Sequence, residues 1–318
     1  MPSPTPPPVP FLCASIDVGT NSVKMTIANL ADGQSVAVYG ASAVTRIGEG
    51  MTSDRPFLRE APMRRSLEAL EGFAATLSEM GVTRIAAVGT AALRDAQNRD
   101  DFLSRVKARC GFEITVIPGE EEARLSYLAV RRDPIWQNEP NLRVIDIGGG
   151  STEIIEGVPH SEQIASRISV NLGAVKLTEA AFRSDPPNVS QLLEANQLAQ
   201  AALAPVKTSH AGDQLIVGVG GTMTNLAAME LGTRDATDQI HNFRLSQDAL
   251  EDRIAQMAGM TIAERALIPG LDGRRADIIL AGAILLSHTL SHLEATSLSV
   301  STRGLRWGII YDRFLAHS

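Results

Sequence analysis

Apolar residues run nearly unbroken through 12–17, 23–30, 35–39, 84–89, 113–117, 142–146, 153–156 and 214–219. Runs of this length, bounded by Gly, Pro, Asn or Asp, predict strands. Between them, apolar positions recur at helical spacing over 60–80, 99–109, 120–130, 174–182, 190–206, 222–230, 246–257, 274–293 and 303–315, which predicts helices. Alternation of this kind predicts an α/β fold with mixed sheets flanked by helices. The stretch 131–141 carries Pro134 and Pro140 and is the expected linker. It divides the chain into expected domains at 11–133 and 134–318, with the last helix expected to pack back on the first domain. Six of residues 1–10 are proline, a composition that predicts a disordered arm.

Two of the strand ends carry the same turn. Asp17-Val18-Gly19-Thr20-Asn21-Ser22 follows the run 11–16, and Asp146-Ile147-Gly148-Gly149-Gly150-Ser151-Thr152 follows 142–145. Their leading aspartates are 129 positions apart. Each copy ends a strand with a carboxylate, turns tightly through glycine and hydroxyl residues, and re-enters an apolar segment. Such a hairpin points N–H groups and hydroxyls at one spot, which suits a phosphate. One Gly-rich turn would be read as hairpin geometry alone; two of them predict related halves closing on one phosphate chain, with a cleft between. A third strand–glycine–hydroxyl–helix junction, Val219-Gly220-Gly221-Thr222, is read both as a helix start capped by Thr222 and as an anion site.

Composition narrows the partners. Of 318 residues 44% are hydrophobic and 20% charged, and the net charge is −7. An acidic chain of ordinary globular composition is expected to bind neither nucleic acid nor an anionic membrane surface. Any polyanion must then be held in a local cleft, helped by a divalent cation. No apolar run approaches bilayer length. Cys13 and Cys110 show no metal or disulfide spacing, which fits a reducing, cytoplasmic setting. His288 and His292 are four apart without an HExxH arrangement and are read as a packing face. Neither a GxxxxGK[ST] loop nor a GxSxG elbow is present.

Four other segments hold candidate chemistry. Glu120-Glu121-Glu122 opens a predicted helix, where acidic residues suit the macrodipole; the helix follows a strand end, where α/β folds place ligands, so one carboxylate could serve as a base. Thr90 and Arg94 follow another strand end, and Arg suits bidentate phosphate contact. Arg46 and Lys176 are weaker candidates of the same kind.

The segments DVGTNSVKM, GTAALRDA, IPGEEEARLSYLAV, VIDIGGGSTEII, NLGAVKLTE, GVGGTMTNLAAM and VSTRGLRWGII occur in that order. Together they resemble the exopolyphosphatase/guanosine pentaphosphate phosphohydrolase (Ppx/GppA) family of the actin-like ATPase superfamily, from about residue 11 onward. The resemblance implies two actin-like (ribonuclease H-like) domains, a divalent cation (Mg²⁺ or Mn²⁺) and a homodimer. It implies release of terminal phosphate from inorganic polyphosphate, or of the 5′ phosphate of guanosine pentaphosphate, ahead of a superfamily ATPase or kinase. It places the catalytic glutamate at Glu122 and metal carboxylates at Asp146 and Glu153, with Asp17 as a third candidate. It places phosphate contacts at Gly19, Thr20, Asn21, Ser22, Thr90, Arg94, Gly148, Gly149, Gly150, Ser151 and Thr152; Gly220, Gly221 and Thr222 are added from the strand–glycine–helix junction above. Two departures stand out: the family's usual Ser and Phe of the first loop are Thr20 and Val23 here. The chain is also expected to lack the C-terminal helical domains of longer members, the part associated with gripping long chains, which leaves the preferred polymer length open.

Overall fold

The computed structural model describes residues 10–31, 34–52, 54–207 and 214–315; the Pro-rich arm expected over residues 1–10 lies outside them but for Pro10. Two compact units emerge. One joins the residues up to Ala129 with those from Leu305 on, and the other spans Val130–Gly304.

The first unit is built on a five-stranded sheet. β1 (Phe11–Val18) and β2 (Ser22–Ala31) form a hairpin, β3 (Gln34–Val44) extends it, and β4 (Arg84–Gly89) and β5 (Ile114–Val116) lie parallel to β1 on its other side. The order is β3-β2-β1-β4-β5. Strand β1 is central, which is why its residues read as a nearly continuous apolar run. Strand β3 is the edge and is largely exposed, so only its first half was legible as a strand. Helix α1 (Glu60–Glu79) buries Met63, Leu67, Leu70, Phe73 and Leu77 at three- and four-residue spacing. A short α2 (Ala91–Asp95) follows β4, and α3 (Arg99–Cys110) ends at Gly111, whose φ of 78° closes the helix as only glycine does easily. Helix α4 (Gly119–Arg131) follows β5.

The second unit holds six strands in the order β10-β11-β9-β6-β7-β8. Strands β6 (Leu142–Ile147) and β7 (Thr152–Gly157) form the second hairpin, with β8 (Ile164–Val170) beside β7. No strand was expected at β8, because Ser166, Arg167 and Ser169 interrupt its apolar pattern. Those hydroxyls answer buried carboxylates on β7: Ser166 Oγ donates to Glu156 at 2.8 Å and Ser169 Oγ to Glu153 at 3.0 Å. Helices α5 (Ala174–Ala181) and α6 (Val189–Leu203) precede β9 (Leu215–Val219), and α7 (Gly220–Leu231) follows it directly. Then come α8 (Thr237–Ile240), β10 (Phe243–Ser246), α9 (Gln247–Ala258), α10 (Ile262–Arg265), α11 (Ile279–His292) and β11 (Ser297–Val300). The helix expected over 274–293 is divided: Gly273–Arg275 is a 3₁₀ turn whose start is capped by Asp272, and α11 begins at Ile279. Helix α11 is buried almost all round, and its histidines serve packing, as the spacing suggested. His288 Nε2 meets Asn196 Oδ1 at 2.9 Å and His292 Nε2 meets the Val206 carbonyl at 2.8 Å.

The stretch expected as a linker is packed. Trp136 and Asp133 are almost fully buried, and Asp133 Oδ2 lies 3.3 Å from His241 Nε2 and 3.4 Å from Arg303 Nη1. After Gly304 the chain returns to the first unit as α12 (Leu305–Ile310), continued by a π-helical turn at Tyr311–Leu315. Trp307 and Ile310 pack with Cys13, Ala28 and Leu30, and Leu305 and Ile309 with Val88, Ile117 and Leu125. Gly308 lies so close to the Leu125 carbonyl that any Cβ there would overlap it.

Candidate active site

In the first unit the β1–β2 turn closes on itself: the Gly19 N–H donates to the Ser22 carbonyl at 3.1 Å. The segment after β3 docks over it. Thr45 and Arg46 N–H groups donate to the Asn21 carbonyl at 3.1 and 3.0 Å, and Gly48 N–H to the Thr20 carbonyl at 3.2 Å. This brings Arg46 to the turn, with a left-handed φ of 52° that a non-glycine residue adopts only when its surroundings demand it. The carbonyls are thus consumed while the Thr20 and Asn21 N–H groups have no protein acceptor among the described residues. Both polar atoms of the buried Asn21 side chain also lack a hydrogen-bond partner. Thr90 follows β4; its N–H donates to the Val18 carbonyl at 3.2 Å, and its hydroxyl approaches the same oxygen at 3.5 Å. It does not cap α2 through its side chain.

The three glutamates that open α4 separate by partner. Glu121 is engaged by Arg124 at 2.8 and 2.9 Å, and Arg313 lies 3.5 Å away; these guanidinium bonds hold its carboxyl below the usual range. Glu120 is exposed. Glu122 is mostly shielded, and its Oε2 accepts from Arg94 Nη1 at 3.0 Å. The same Arg94 nitrogen donates to the Ile117 carbonyl at 3.1 Å, at the strand end that leads into α4. Glu122 and Arg94 are therefore one oriented pair, with the carboxylate fixed by a guanidinium that is itself fixed by backbone.

The second unit repeats the turn. Gly148 N–H donates to the Ser151 carbonyl at 3.0 Å. The first amides of α5 brace it: Ala174 donates to the Gly148 carbonyl at 2.9 Å, and Val175 and Lys176 to the Gly149 carbonyl at 3.0 and 3.2 Å. A Cβ on Gly173 would stand 2.6 Å from that backbone. Gly149 and Gly150 N–H groups have no protein acceptor among the described residues. Hydroxyls expected on phosphate act in the fold instead. Thr152 Oγ1 donates to the Leu172 carbonyl at 2.7 Å and Thr222 Oγ1 to the Ile147 carbonyl at 3.1 Å. Thr222 lies two residues inside α7 and does not cap it. Lys176 Nζ donates to Asn171 Oδ1 at 2.5 Å. A phosphate needs donors, so the backbone amides of both turns are the better suited groups.

Asp146 and Glu153 stand directly opposite each other across β6 and β7, which puts both carboxylates on one face. Gly220, at φ 92°, closes over the pair: a Cβ there would lie 2.6 Å from Asp146 Oδ1. Among the described residues no group of three or more His, Cys, Asp or Glu is gathered to hold a metal. Two carboxylates are enough for a magnesium-type ion, which takes its other ligands from water and substrate phosphate.

Two arginines were not singled out from the sequence. Arg275 presses its guanidinium on Gly221; that guanidinium has no hydrogen-bond or ion-pair partner among the described residues and is drawn below the usual arginine range by burial. Arg306, on α12, is half-buried and feels the charge of Asp17. The available signal was a lone cation inside the apolar run Leu305-Arg306-Trp307-Gly308-Ile309.

Comparison with known proteins identifies the family. The model of the Ppx/GppA phosphatase family matches residues 26–317. Exopolyphosphatase 2 of Mycobacterium tuberculosis is 33% identical over 294 residues, covering 88% of this chain and 90% of that protein. Exopolyphosphatase 1 of Mycobacterium bovis is 30% identical over 299 residues, covering 93% and 86%. Among solved structures, the Aquifex aeolicus Ppx/GppA family member superposes with a TM-score of 0.80 at 31% identity, covering 98% of this chain and 99% of that one. An exopolyphosphatase from Cytophaga hutchinsonii does so at 0.85 and 25% identity, covering 96% and 98%. With both hairpin turns, the Arg94–Glu122 pair and similarity along most of its length, the chain belongs to the Ppx/GppA phosphatase family.

Proposed function

We propose that this protein is an exopolyphosphatase that releases terminal orthophosphate from inorganic polyphosphate by attack of water. The observation that carries the reading is the Arg94–Glu122 pair in a chain whose relatives are named exopolyphosphatases. Phosphoryl transfer asks the protein mainly for positioning and charge stabilisation. Glu122, oriented by Arg94, accepts a proton from the attacking water. The amides of Thr20 and Asn21, and of Gly149 and Gly150, hold phosphate oxygens, and Arg46, Arg94 and Arg275 add positive charge. Asp146 and Glu153 would hold Mg²⁺ or Mn²⁺, which when bound neutralises phosphate charge. The fit rests on their opposed register and on the glycine that leaves room at Asp146 Oδ1.

The reading extends to a cytoplasmic homodimer, checked by sedimentation and by cell fractionation. No helix among the described residues is long and apolar enough to cross a membrane. The central test is phosphate release, with Mg²⁺ and with EDTA, from short polyphosphate, long polyphosphate, guanosine pentaphosphate and ATP. Turnover of polyphosphate that EDTA abolishes is expected. Preferential turnover of guanosine pentaphosphate would move the assignment to the sister activity of the family. Transfer of phosphate from ATP to an acceptor would overturn both.

A further inference from the structure

The first unit contains a partly buried charge cluster that the mechanism above leaves unused. Asp17 stands directly opposite Lys24 across β1 and β2, and Met25 is the next residue along β2. Arg306, from α12, donates through Nη1 to the Met25 carbonyl at 3.0 Å. Its guanidinium is thus anchored one residue from the Asp17–Lys24 pair, by a segment 281 positions later in the chain. Asp17 Oδ1 is shielded from solvent without a hydrogen-bond partner, and it lies 3.8 Å from where a Cβ on Gly19 would stand. The carboxylate therefore faces the turn. Burial pushes the Asp17 carboxyl up, and Lys24 and Arg306 pull it back; burial draws Arg306 down, and Asp17 opposes that.

A carboxylate facing a phosphate turn repels the substrate unless a cation balances it. In the second unit the position matching Lys24 is Glu153, so the hairpin there sets a second carboxylate opposite Asp146, where the first sets an ammonium opposite Asp17. In the first unit the chain supplies the balance itself. We propose that Arg306 is a positioning residue for phosphate release: with Lys24 it is the built-in countercharge of Asp17, so the first turn receives substrate phosphate without a metal ion of its own. Asp17, a metal candidate from sequence, is then an internal ion-pair partner. The proposal deepens the exopolyphosphatase reading and rests on it only for its kinetic arm.

The test uses the full chain as wild type, Asp17→Asn, Arg306→Lys, Arg306→Met and the Asp17→Asn/Arg306→Met double variant. Mn²⁺ binding is titrated without substrate, thermal melting monitors folding, and KM and kcat are measured on short polyphosphate. Wild type is expected to bind one Mn²⁺ per chain and Asp17→Asn to bind it equally well. Arg306→Met should raise KM by about tenfold, with a much smaller change in kcat. The double variant should recover most of that loss, because the charge needing balance is gone. Arg306→Lys should recover part of it. A second Mn²⁺ in wild type that disappears in Asp17→Asn overturns the proposal, as do KM effects that simply add across the cycle. If Arg306→Met does not fold, the Mn²⁺ count in wild type and Asp17→Asn still decides. A wild-type chain inactive on every phosphoanhydride would sink the enzymatic reading, while the Mn²⁺ titration would judge this one separately.

Discussion

The strand orders β3-β2-β1-β4-β5 and β8-β7-β6-β9-β11 follow one plan, with β10 added at the edge of the second. The plan extends to single bonds. Gly19 and Gly148 each donate to the serine carbonyl three residues on, at 3.1 and 3.0 Å. Thr90 and Thr222 each turn a hydroxyl to the last carbonyl before the turn, at 3.5 and 3.1 Å. The units part at one register position, Lys24 opposite Asp17 and Glu153 opposite Asp146. The same backbone presents amides in both places, and on the proposal above one side chain decides whether the charge beside them is balanced internally or by a bound cation. They part again after the fifth strand of the plan: β5 leads into a helix whose first turn carries Glu122, whereas the second unit ends at Gly304, soon after β11.

The largest effect tests that second difference. Glu122→Gln should lower kcat on polyphosphate by about 10²–10⁴ while leaving the melting curve unchanged. Glu121→Gln, which loses only its bonds to Arg124 and Arg313, should stay within a few-fold of wild type. If Glu121→Gln were the dead variant, the base would be the neighbouring residue.

Next is the charge pattern. Asp146→Asn should raise the Mg²⁺ concentration for half-maximal activity by roughly 10–100-fold, the range seen when groups at a metal site are altered. Glu153→Lys copies the first unit's pairing into the second and should abolish the Mg²⁺ response altogether. Retained Mg²⁺ activation in that variant would break the comparison.

A smaller effect separates the glycines that end β4 and β9. Gly220→Ala meets Asp146 Oδ1 at 2.6 Å in a left-handed backbone and should cost about 1–3 kcal/mol by thermal or denaturant unfolding. Gly89→Ala meets mainly the flexible Leu93 side chain and should cost less.

The smallest effect is on acid stability of the second unit. Burial lowers the His288 imidazole below its ordinary 6.5. The unfolded chain therefore takes up this proton first as pH falls, and stability present above 6.5 is lost on the way down through the folded value. His288→Gln, which keeps a polar group for Asn196, should flatten the pH dependence of the melting temperature below 6.5. An unchanged slope would mean that His288 does not contribute.

Where local pattern decided structure, sequence reading reached it. Central strands such as β1 and β6 are apolar on both faces, and α1 carries its core positions at helical spacing. Both turns were legible because glycines and hydroxyls follow a strand-ending aspartate. Strand β8 was not, because its stability comes from hydroxyls answering carboxylates one strand away. The hydroxyls of Thr152 and Thr222 read as phosphate donors because their acceptors, the Leu172 and Ile147 carbonyls, lie 20 and 75 positions off. Glu122 was singled out by resemblance, but its difference from Glu121 comes from which arginine the helix turns each toward. Arg275 and Arg306 stayed hidden for the same reason: a guanidinium's role depends on what long-range folding sets beside it.

The return of the chain at Leu305 also orders events during synthesis. Strands β1 and β2 leave the ribosome before the second unit, yet Trp307 and Ile310, which cover Cys13, Ala28 and Leu30, leave after it. Domains usually mature from the N-terminus as they emerge. Here the second unit, continuous from Val130 to Gly304, can complete its core first. The first waits with an apolar sheet face uncovered until α12 arrives, which makes it the part of the nascent protein most in need of a chaperone.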